Sequence, residues 1–188
     1  MAARAPVGYT YDDLLRFPED NTRREVIGGE LFVSPSPSWR HQEVLKVLGV
    51  ELHLYARQEG GVVVFAPLDT WFTHADIVQP DALFVTREQL DRLDAPLERP
   101  IKVVPALLAE VSSPSTRRRD LTQKRDLYER FGVPEYWFVD LDADRVEAYR
   151  LSDGRYPAPV LLGRGETLTA AALPGLALAV GELLGAEA

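Results

Sequence analysis

The sequence predicts a single α/β domain, and three observations support this fold class. Its 188 residues are enough to close one hydrophobic core of ordinary size. Residues Pro105 to Asp140 carry the pattern strand, helix, strand, which is typical of a βαβ crossover between parallel neighbours. The chain shows no internal repeat, low-complexity tract or linker that would divide it. We therefore expect residues 1–188 to fold as one domain.

The N-terminal part of the chain predicts a short helix, a hairpin and a long helix. Thr10 to Leu15 has the capping residues of a short helix. Gly28-Gly29 separates two β-type runs between Arg24 and Val33, which is a strong hairpin signal. Helical periodicity then runs from Trp39 to Gln58 and ends at Gly60-Gly61.

Runs of β-branched and aromatic residues predict further strands. Val62 to Ala66 and Asp69 to Thr73 are two strands or one bent strand, and the other strands are Ile77 to Val85, Arg145 to Leu151, Arg155 to Leu162 and Thr167 to Leu173. The last two are expected to complete the sheet. Thr86 to Leu97 reads as a surface helix or loop, and Val180 to Leu184 as a short terminal helix.

The most informative stretch begins with an apolar run that ends in a carboxylate, Glu110. A helix follows, with Asp120 as its expected N-cap, Gln123 in the capping-box position and Gly132 at its end. Glu135 to Asp140 is then predicted as a buried strand, because aromatic and β-branched residues favour strands.

Lys124 is the unusual residue of this helix. Helical spacing places it on the same side as the apolar residues Leu121, Leu127, Tyr128 and Phe131. Its ammonium group is therefore expected to point towards the sheet, near the end of the preceding strand. The alternative is that the stem packs while the head reaches water, as is common near helix ends.

Two acids lie in apolar strand patterns, where an unpaired carboxylate is costly. Asp81 follows Pro80, which removes a backbone donor and indicates an edge or a bulge. Glu110 ends its own strand. Each acid alone is most simply a strand-end residue facing water. Together with an inward lysine they indicate a Mg²⁺ site, since Mg²⁺ keeps several waters and takes few protein ligands.

Composition limits the possible functions. The chain has no cysteine, which excludes disulfides, thiolate metal sites and a cysteine nucleophile, and fits a reducing cytoplasm. The net charge of −8 has the wrong sign for a protein that coats nucleic acid by charge alone. No stretch reads as a membrane span or a signal peptide, so we expect a cytoplasmic protein with no membrane partner.

The order Pro80-Asp81, Glu110-Val111-Ser112 and Lys124 is similar to the PD-(D/E)XK nuclease superfamily. A lysine usually stands two residues after the second acid in that superfamily, whereas this chain has Ser112 there. A longer resemblance, from Tyr9 to Leu184, is to a bacterial family described as restriction-endonuclease-like. It is carried by EVIGGELFVSPSP, RHQ, QPDALFV, EVSSPSTRRRDLTQKRDLYERFGVPEYWFVD and LPGLAL.

The resemblance implies a restriction-endonuclease-like fold, with a central mixed sheet flanked by helices. Asp81 and Glu110, with the backbone carbonyl of Val111, would hold Mg²⁺ or Mn²⁺, which would polarise a phosphate oxygen and activate a water. Lys124 would stabilise the charge that builds on the phosphorane. We therefore expect Lys124→Ala to abolish cleavage with little effect on folding.

Other residues are auxiliary candidates. His41 could reach the site or be a satisfied core histidine, and Glu25 and Glu30 flank the hairpin, where acids are usually solvated. The run Arg117, Arg118 and Arg119 could bind phosphates or form a solvated charged face.

Two classes of function stay open at this point. The first is a Mg²⁺-dependent endonuclease acting on DNA, which we expect to be a homodimer because two-fold symmetry suits cleavage of both strands. The apolar stretch LPGLALAV near the C-terminus is the candidate interface; the alternative is that it only closes the core. The second is a catalytically inactive nuclease-fold protein that binds nucleic acid or another protein. The acidic charge and Ser112 favour the second class; Asp81, Glu110 and Lys124 favour the first.

Overall fold

The computed structural model describes residues 8–20, 22–94 and 96–186. Its helices are α1 (Tyr11–Leu14), α2 (Trp39–Glu59), α3 (Arg87–Asp91), α4 (Arg117–Arg119), α5 (Arg125–Arg130) and α6 (Val180–Leu184), with a π-helical segment, Asp120–Lys124, between α4 and α5. The strands are β1 (Arg23–Ile27), β2 (Glu30–Ser34), β3 (Val62–Phe65), β4 (Thr70–Thr73), β5 (Asp76–Val78), β6 (Ala82–Val85), β7 (Leu107–Val111), β8 (Glu135–Asp140), β9 (Arg145–Arg150), β10 (Val160–Gly163), β11 (Thr167–Thr169) and β12 (Ala177–Ala179). Within the described ranges, no helix has the length and apolar character needed to cross a bilayer.

The strands form three sheets. The central sheet has six strands in the order β10-β9-β8-β7-β6-β3, and a four-stranded sheet has the order β2-β1-β5-β4. The β11 and β12 strands pair with each other. Within the central sheet β7 and β8 are parallel and the other pairs are antiparallel, so the sheet is mixed. This confirms the predicted mixed α/β fold.

The central sheet has a core on each face, because successive strand residues point to opposite sides. On β7, Leu107, Ala109 and Val111 belong to one cluster, which also contains residues of α2 and α6. Leu108 belongs to the other cluster, which contains residues of α5. Glu110 is two residues from Leu108 and so faces the α5 side.

The predicted crossover and hairpin are confirmed. The chain from β7 through residues 117–130 to β8 joins parallel neighbours, with Glu110 opposite Phe138. The β1–β2 hairpin turns at Gly28 and Gly29, whose φ angles of 59° and 82° are in the left-handed region that favours glycine. Gly132, with φ 74°, follows α5 as expected for a helix end.

Several predicted boundaries are wrong. Residues 77–85 form β5 and β6, which belong to different sheets, because the chain leaves one sheet at Gln79 and enters the other after Asp81. The strands at residues 62–65 and 70–73 are in different sheets, so they are two strands and not one bent strand. Of the predicted strand Arg155 to Leu162, only the end forms a strand, β10, from Val160 to Gly163.

Two further predictions fail for reasons of burial and pairing. The stretch Thr167 to Leu173 does not extend the central sheet, because β11 pairs with β12. Asp120 is not an N-cap, since helical backbone begins at Arg117 and the Asp120 side chain is buried.

Candidate active site

Side chains from four separate parts of the chain meet near the C-terminal end of β7. Strand β1 contributes Arg23 and Glu25, the bend before β6 contributes Asp81, β7 contributes Glu110, and the π-helical segment contributes Lys124. The three acids and the lysine are buried. The structure therefore brings together Asp81, Glu110 and Lys124, as the sequence predicts.

Lys124 is the centre of this charge cluster. Its Nζ lies 2.8 Å from Glu25 Oε1, 2.8 Å from Glu110 Oε1 and 3.8 Å from Asp120 Oδ1. Its side chain is 0% exposed, so the alternative of an ammonium group that reaches water is wrong. The backbone N–H of Arg125 donates to the Asp120 carbonyl across the π-helical turn. Single π-helical turns of this kind are frequent at functional sites.

Asp81 is fixed by both backbone and side chains. Its Oδ2 accepts a hydrogen bond from the Val111 backbone N–H at 2.8 Å, and its Oδ1 lies 2.6 Å from Arg23 Nη1. His41 Nε2 lies 3.6 Å from Asp81 Oδ2. The expected contribution of Val111 was its carbonyl. The contact observed with Asp81 is made by the Val111 amide, which orients the carboxylate.

Arg23 is the residue of this cluster that the sequence reasoning missed. Its Nη2 lies 3.5 Å from Glu110 Oε2 and 3.6 Å from Glu25 Oε1, and it also donates to the Gln79 carbonyl. One guanidinium group therefore contacts all three acids of the cluster. A signal was available, because Arg23 and Glu25 are two residues apart on β1 and so share one face of that strand.

Of the two hairpin acids, only Glu25 lies in the cluster. Its side chain is 0% exposed, and its Oε1 also accepts a hydrogen bond from the Gln79 backbone N–H at 2.8 Å. Arg119 Nη2 lies 3.3 Å from Glu25 Oε2. Glu30 is exposed beside the hairpin turn, opposite Ile27, and the structure does not bring it to the other acids. The expectation that hairpin acids are solvated is therefore wrong for Glu25.

The arginine run divides into three environments. Arg117 Nη2 lies 2.6 Å from Asp140 Oδ2, at the end of β8. Arg118 is exposed. Arg119 turns inwards, where it donates to Ser34 Oγ at 2.7 Å in addition to its contact with Glu25. Two of the three arginines thus already have carboxylate partners, and their assignment to phosphate binding stays a prediction.

Ser112 has a structural role that explains why no lysine stands there. The residue is 2% exposed, and its Oγ accepts a hydrogen bond from the Leu141 backbone N–H at 2.8 Å. This bond ties the end of β7 to the turn after β8. A lysine at this position would lose the bond and bring a charge into a buried space.

The charges of the cluster alter the pKa values of its carboxyl groups. Burial raises the pKa of Glu25, but the positive charges of Lys124, Arg23 and Arg119 outweigh it and lower the pKa to about 2. Burial also raises the pKa of Glu110, to about 8, with Lys124 opposing and Asp81 and Asp120 adding to the rise. The two carboxyl groups that share Lys124 therefore have very different pKa values, and Glu25 is the more acidic of the two.

The fit of a metal ion depends on Asp81 and Glu110. Among the residues that the structure describes, no three His, Cys, Asp or Glu side chains are arranged as they would be around a metal ion. Both carboxylates nevertheless face one cation, the Arg23 guanidinium group. Mg²⁺ prefers oxygen ligands and takes few of them from the protein. The two carboxylates therefore suit a Mg²⁺ site, provided that Arg23 moves aside.

A groove of about 1230 Å³ leads from the surface to these acids. Its walls come from α2, from the end of β2 and from the region of Phe65, and its lining includes Asp81, Glu110 and Asp120. His41, on α2, lies in the same wall and is 5% exposed. A substrate in the groove would therefore reach the charge cluster directly.

The mixed sheet, the crossover and the buried acid–lysine cluster together define a protein of the restriction-endonuclease-like fold. The family model of Uma2, described as “Putative restriction endonuclease”, matches residues 11–181, and the chain belongs to this family. No curated protein matches the chain.

The fold is also similar to a solved structure. This is the crystal structure of a “putative nuclease belonging to DUF820” from Anabaena variabilis ATCC 29413, with a TM-score of 0.79 and 17% sequence identity. The match covers 93% of this chain and 97% of the other. At this identity the likeness supports the fold.

Proposed function

We propose that the protein is a Mg²⁺-dependent endonuclease that hydrolyses phosphodiester bonds in DNA. The observation that carries the proposal is that Asp81 and Glu110 face the same cation, beside a buried lysine and at the base of a groove. Membership of the Uma2 family supports nuclease chemistry.

Asp81 and Glu110 are the proposed ligands of Mg²⁺ or Mn²⁺. A divalent cation bound there supplies Lewis-acid polarisation of a phosphate oxygen. The Val111 amide orients Asp81, and Tyr128 orients Glu110 by donating from its hydroxyl group to Oε1 at 2.8 Å. These bonds hold both carboxylates in position before any substrate arrives.

Lys124 is the proposed stabiliser of negative charge in the transition state. In the structure its ammonium group bonds to Glu25 and Glu110, so it also balances the charge of the carboxylates. Glu25 also holds the lysine, at 2.8 Å, and is itself held by the Gln79 amide. A cation fixed in this way costs no reorganisation when charge develops on the phosphate.

The net charge of −8 means that the whole surface does not attract nucleic acid. We propose that binding depends on the groove and on the metal, with exposed Arg118 as a candidate phosphate contact. The preference for DNA over RNA and the cytoplasmic location are parts of the same proposal.

We also propose a homodimer, because two-fold symmetry suits cleavage of both strands of a duplex. The interface predicted from the sequence is not supported, since the apolar side chains of that stretch are used within the chain. Leu173, Leu176, Leu178 and Val180 are buried in the first core cluster. An interface there would have to use the exposed residues of the stretch, Pro174, Ala177 and Ala179 among them.

One observation favours a second candidate function, a catalytically inactive protein that binds nucleic acid or another protein on the same fold. Arg23 and Lys124 already provide a cationic partner for each of the three acids, Glu25, Asp81 and Glu110. A site that is balanced in this way can persist without catalysis.

The test is cleavage of plasmid, single-stranded DNA and RNA with Mg²⁺ or EDTA, alongside a gel-shift measurement of binding. The endonuclease proposal expects cleavage of plasmid with Mg²⁺, loss of cleavage in Glu110→Gln, and retained binding. Binding without cleavage at any Mg²⁺ or Mn²⁺ concentration would instead support the second candidate.

A further inference from the structure

Arg23 lies against both proposed metal ligands, Asp81 and Glu110. Its two terminal nitrogens contact Asp81 and Glu110 at 2.6 and 3.5 Å, so the guanidinium group bridges the two proposed ligands. Those carboxylates cannot bind a divalent cation at close range while an arginine fills the space between them. The arrangement raises the question of what Arg23 does when a metal ion binds.

We infer that Arg23 is an internal cation that holds Asp81 and Glu110 in place in the metal-free protein and leaves when a divalent cation binds. The inference rests on the proposed function, because it takes the two acids as metal ligands. Arg23 would then act as a competitor that lowers metal affinity until the protein is loaded.

The position of Arg23 allows this movement. Its side chain is 21% exposed, in contrast to Lys124 at 0%, and Arg23 lines the groove. A guanidinium group that leaves the acids would enter the groove and regain water. Lys124 has no such exit, since it is enclosed by Glu25, Glu110 and Asp120.

The contacts of Arg23 are also incompletely satisfied. Its Nε is buried and has no hydrogen-bond partner. A buried donor without a partner carries a desolvation cost, which offsets part of the gain from its ion pairs. Departure of Arg23 would break the contacts of its two terminal nitrogens, including the bond to the Gln79 carbonyl, but would lose no bond at Nε.

The alternative is that Arg23 is a permanent structural residue. Arg119 provides the matched comparison, because it also contacts Glu25 but is not among the partners of Asp81 and Glu110. Removing either arginine lowers the positive charge near the site by one unit. Only removal of Arg23 frees the space between the two proposed ligands.

The experiment is a titration of Mn²⁺ into the full-length protein, followed by calorimetry and by the shift in melting temperature. Arg23→Gln is expected to bind Mn²⁺ about tenfold more tightly than wild type, a change of about 1.4 kcal/mol. Arg119→Gln is expected to change the affinity by less than about threefold, since only general charge is lost. The melting temperature of Arg23→Gln should rise more with Mn²⁺ than that of wild type.

Each outcome separates this inference from the proposed function. Equal or weaker Mn²⁺ binding by Arg23→Gln, with clear binding by wild type, refutes the competition but leaves the metal site. Absence of Mn²⁺ binding by every variant refutes both. If Arg23→Gln does not fold, a crystal structure of wild type with Mn²⁺ shows whether Arg23 leaves the two acids. Displacement of the guanidinium group is expected, and Mn²⁺ between the acids with Arg23 still on Asp81 would overturn the inference.

Discussion

Lys124→Met tests the buried charge cluster because it removes the ammonium group and keeps an apolar stem. The ion pair of Lys124 with Glu25, at 2.8 Å, represents about 6 kcal/mol of gross Coulomb attraction at an effective dielectric constant of about 20. The cost of removing the two charged groups from water offsets most of this attraction. Removing one member of a buried pair costs about 3–5 kcal/mol, because the remaining charge stays buried without a partner. We expect a loss of this size in the free energy of unfolding.

This expected loss of stability differs from the expectation based on sequence alone, which is that Lys124→Ala leaves folding nearly intact. The difference comes from burial, since the ammonium group is 0% exposed and joins two carboxylates. A typical domain has about 5–15 kcal/mol of stability, so the variant should be strongly destabilised. Activity should also be lost.

The assay is urea unfolding of wild type, Lys124→Met, and the double variant Lys124→Met/Glu25→Gln. Glu25 has its pKa lowered to about 2 and is the charged carboxylate at neutral pH. Removing its charge should therefore recover part of the lost stability. Lys46→Met is the matched control, because Lys46 pairs with Glu43 on the surface, at 62% and 54% exposure. It should cost no more than about 1 kcal/mol. A loss below about 1 kcal/mol for Lys124→Met, or no recovery in the double variant, would refute the reasoning.

Three further predictions follow from the same structure. Because the pKa of Glu110 rises from 4.5 to about 8, the folded protein keeps a proton there that the unfolded chain releases. In EDTA the free energy of unfolding should therefore fall as pH rises from about 4.5 to 8, by up to about 1.4 kcal/mol per pH unit, and Glu110→Gln should flatten that slope. Ser112→Ala should destabilise by about 1–3 kcal/mol in urea unfolding, because the Leu141 amide loses its acceptor; an unchanged midpoint would argue against the bond. Sedimentation at micromolar concentration should show a dimer, and a clean 21.0 kDa monomer would exclude it.

The local patterns of the sequence predict the crossover and its charged residues well. The segment from Glu110 to Asp140 carries both strand signals and helix periodicity, and these fix the direction in which Lys124 points. The structure places that lysine against Glu110. The direction of Lys124 could be predicted because the helix that carries it and the two strands that flank it all lie within one short stretch of sequence.

Arg23 and Glu25 were harder to predict, because their role depends on which sheet face the hairpin packs against. That packing is set by the pairing of β1 with β5, which joins Val26 to Ile77 across the chain. Strand alternation shows that the two residues share a face, but it does not show what lies opposite. The alternation therefore gives candidates, and only the tertiary structure selects between Glu25 and Glu30.

The bend at Asp81 illustrates a second limit. Continuous apolar character from Ile77 to Val85 reads as one strand, yet the chain changes sheets within it. Pro80 marks an irregular position in the sequence, as expected of a residue without a backbone donor. Whether that irregularity is a bulge, an edge or a transfer between sheets depends on partners elsewhere in the chain.

The most direct test of the account is plasmid nicking with Mg²⁺ by Asp81→Asn and Asp140→Asn, measured against wild type. Both positions hold a buried aspartate paired with an arginine, Arg23 in one case and Arg117 in the other. We expect wild type and Asp140→Asn to cleave, EDTA to stop both, and Asp81→Asn not to cleave although it remains folded. Equal Mg²⁺-dependent cleavage by Asp81→Asn and wild type would contradict the proposed site.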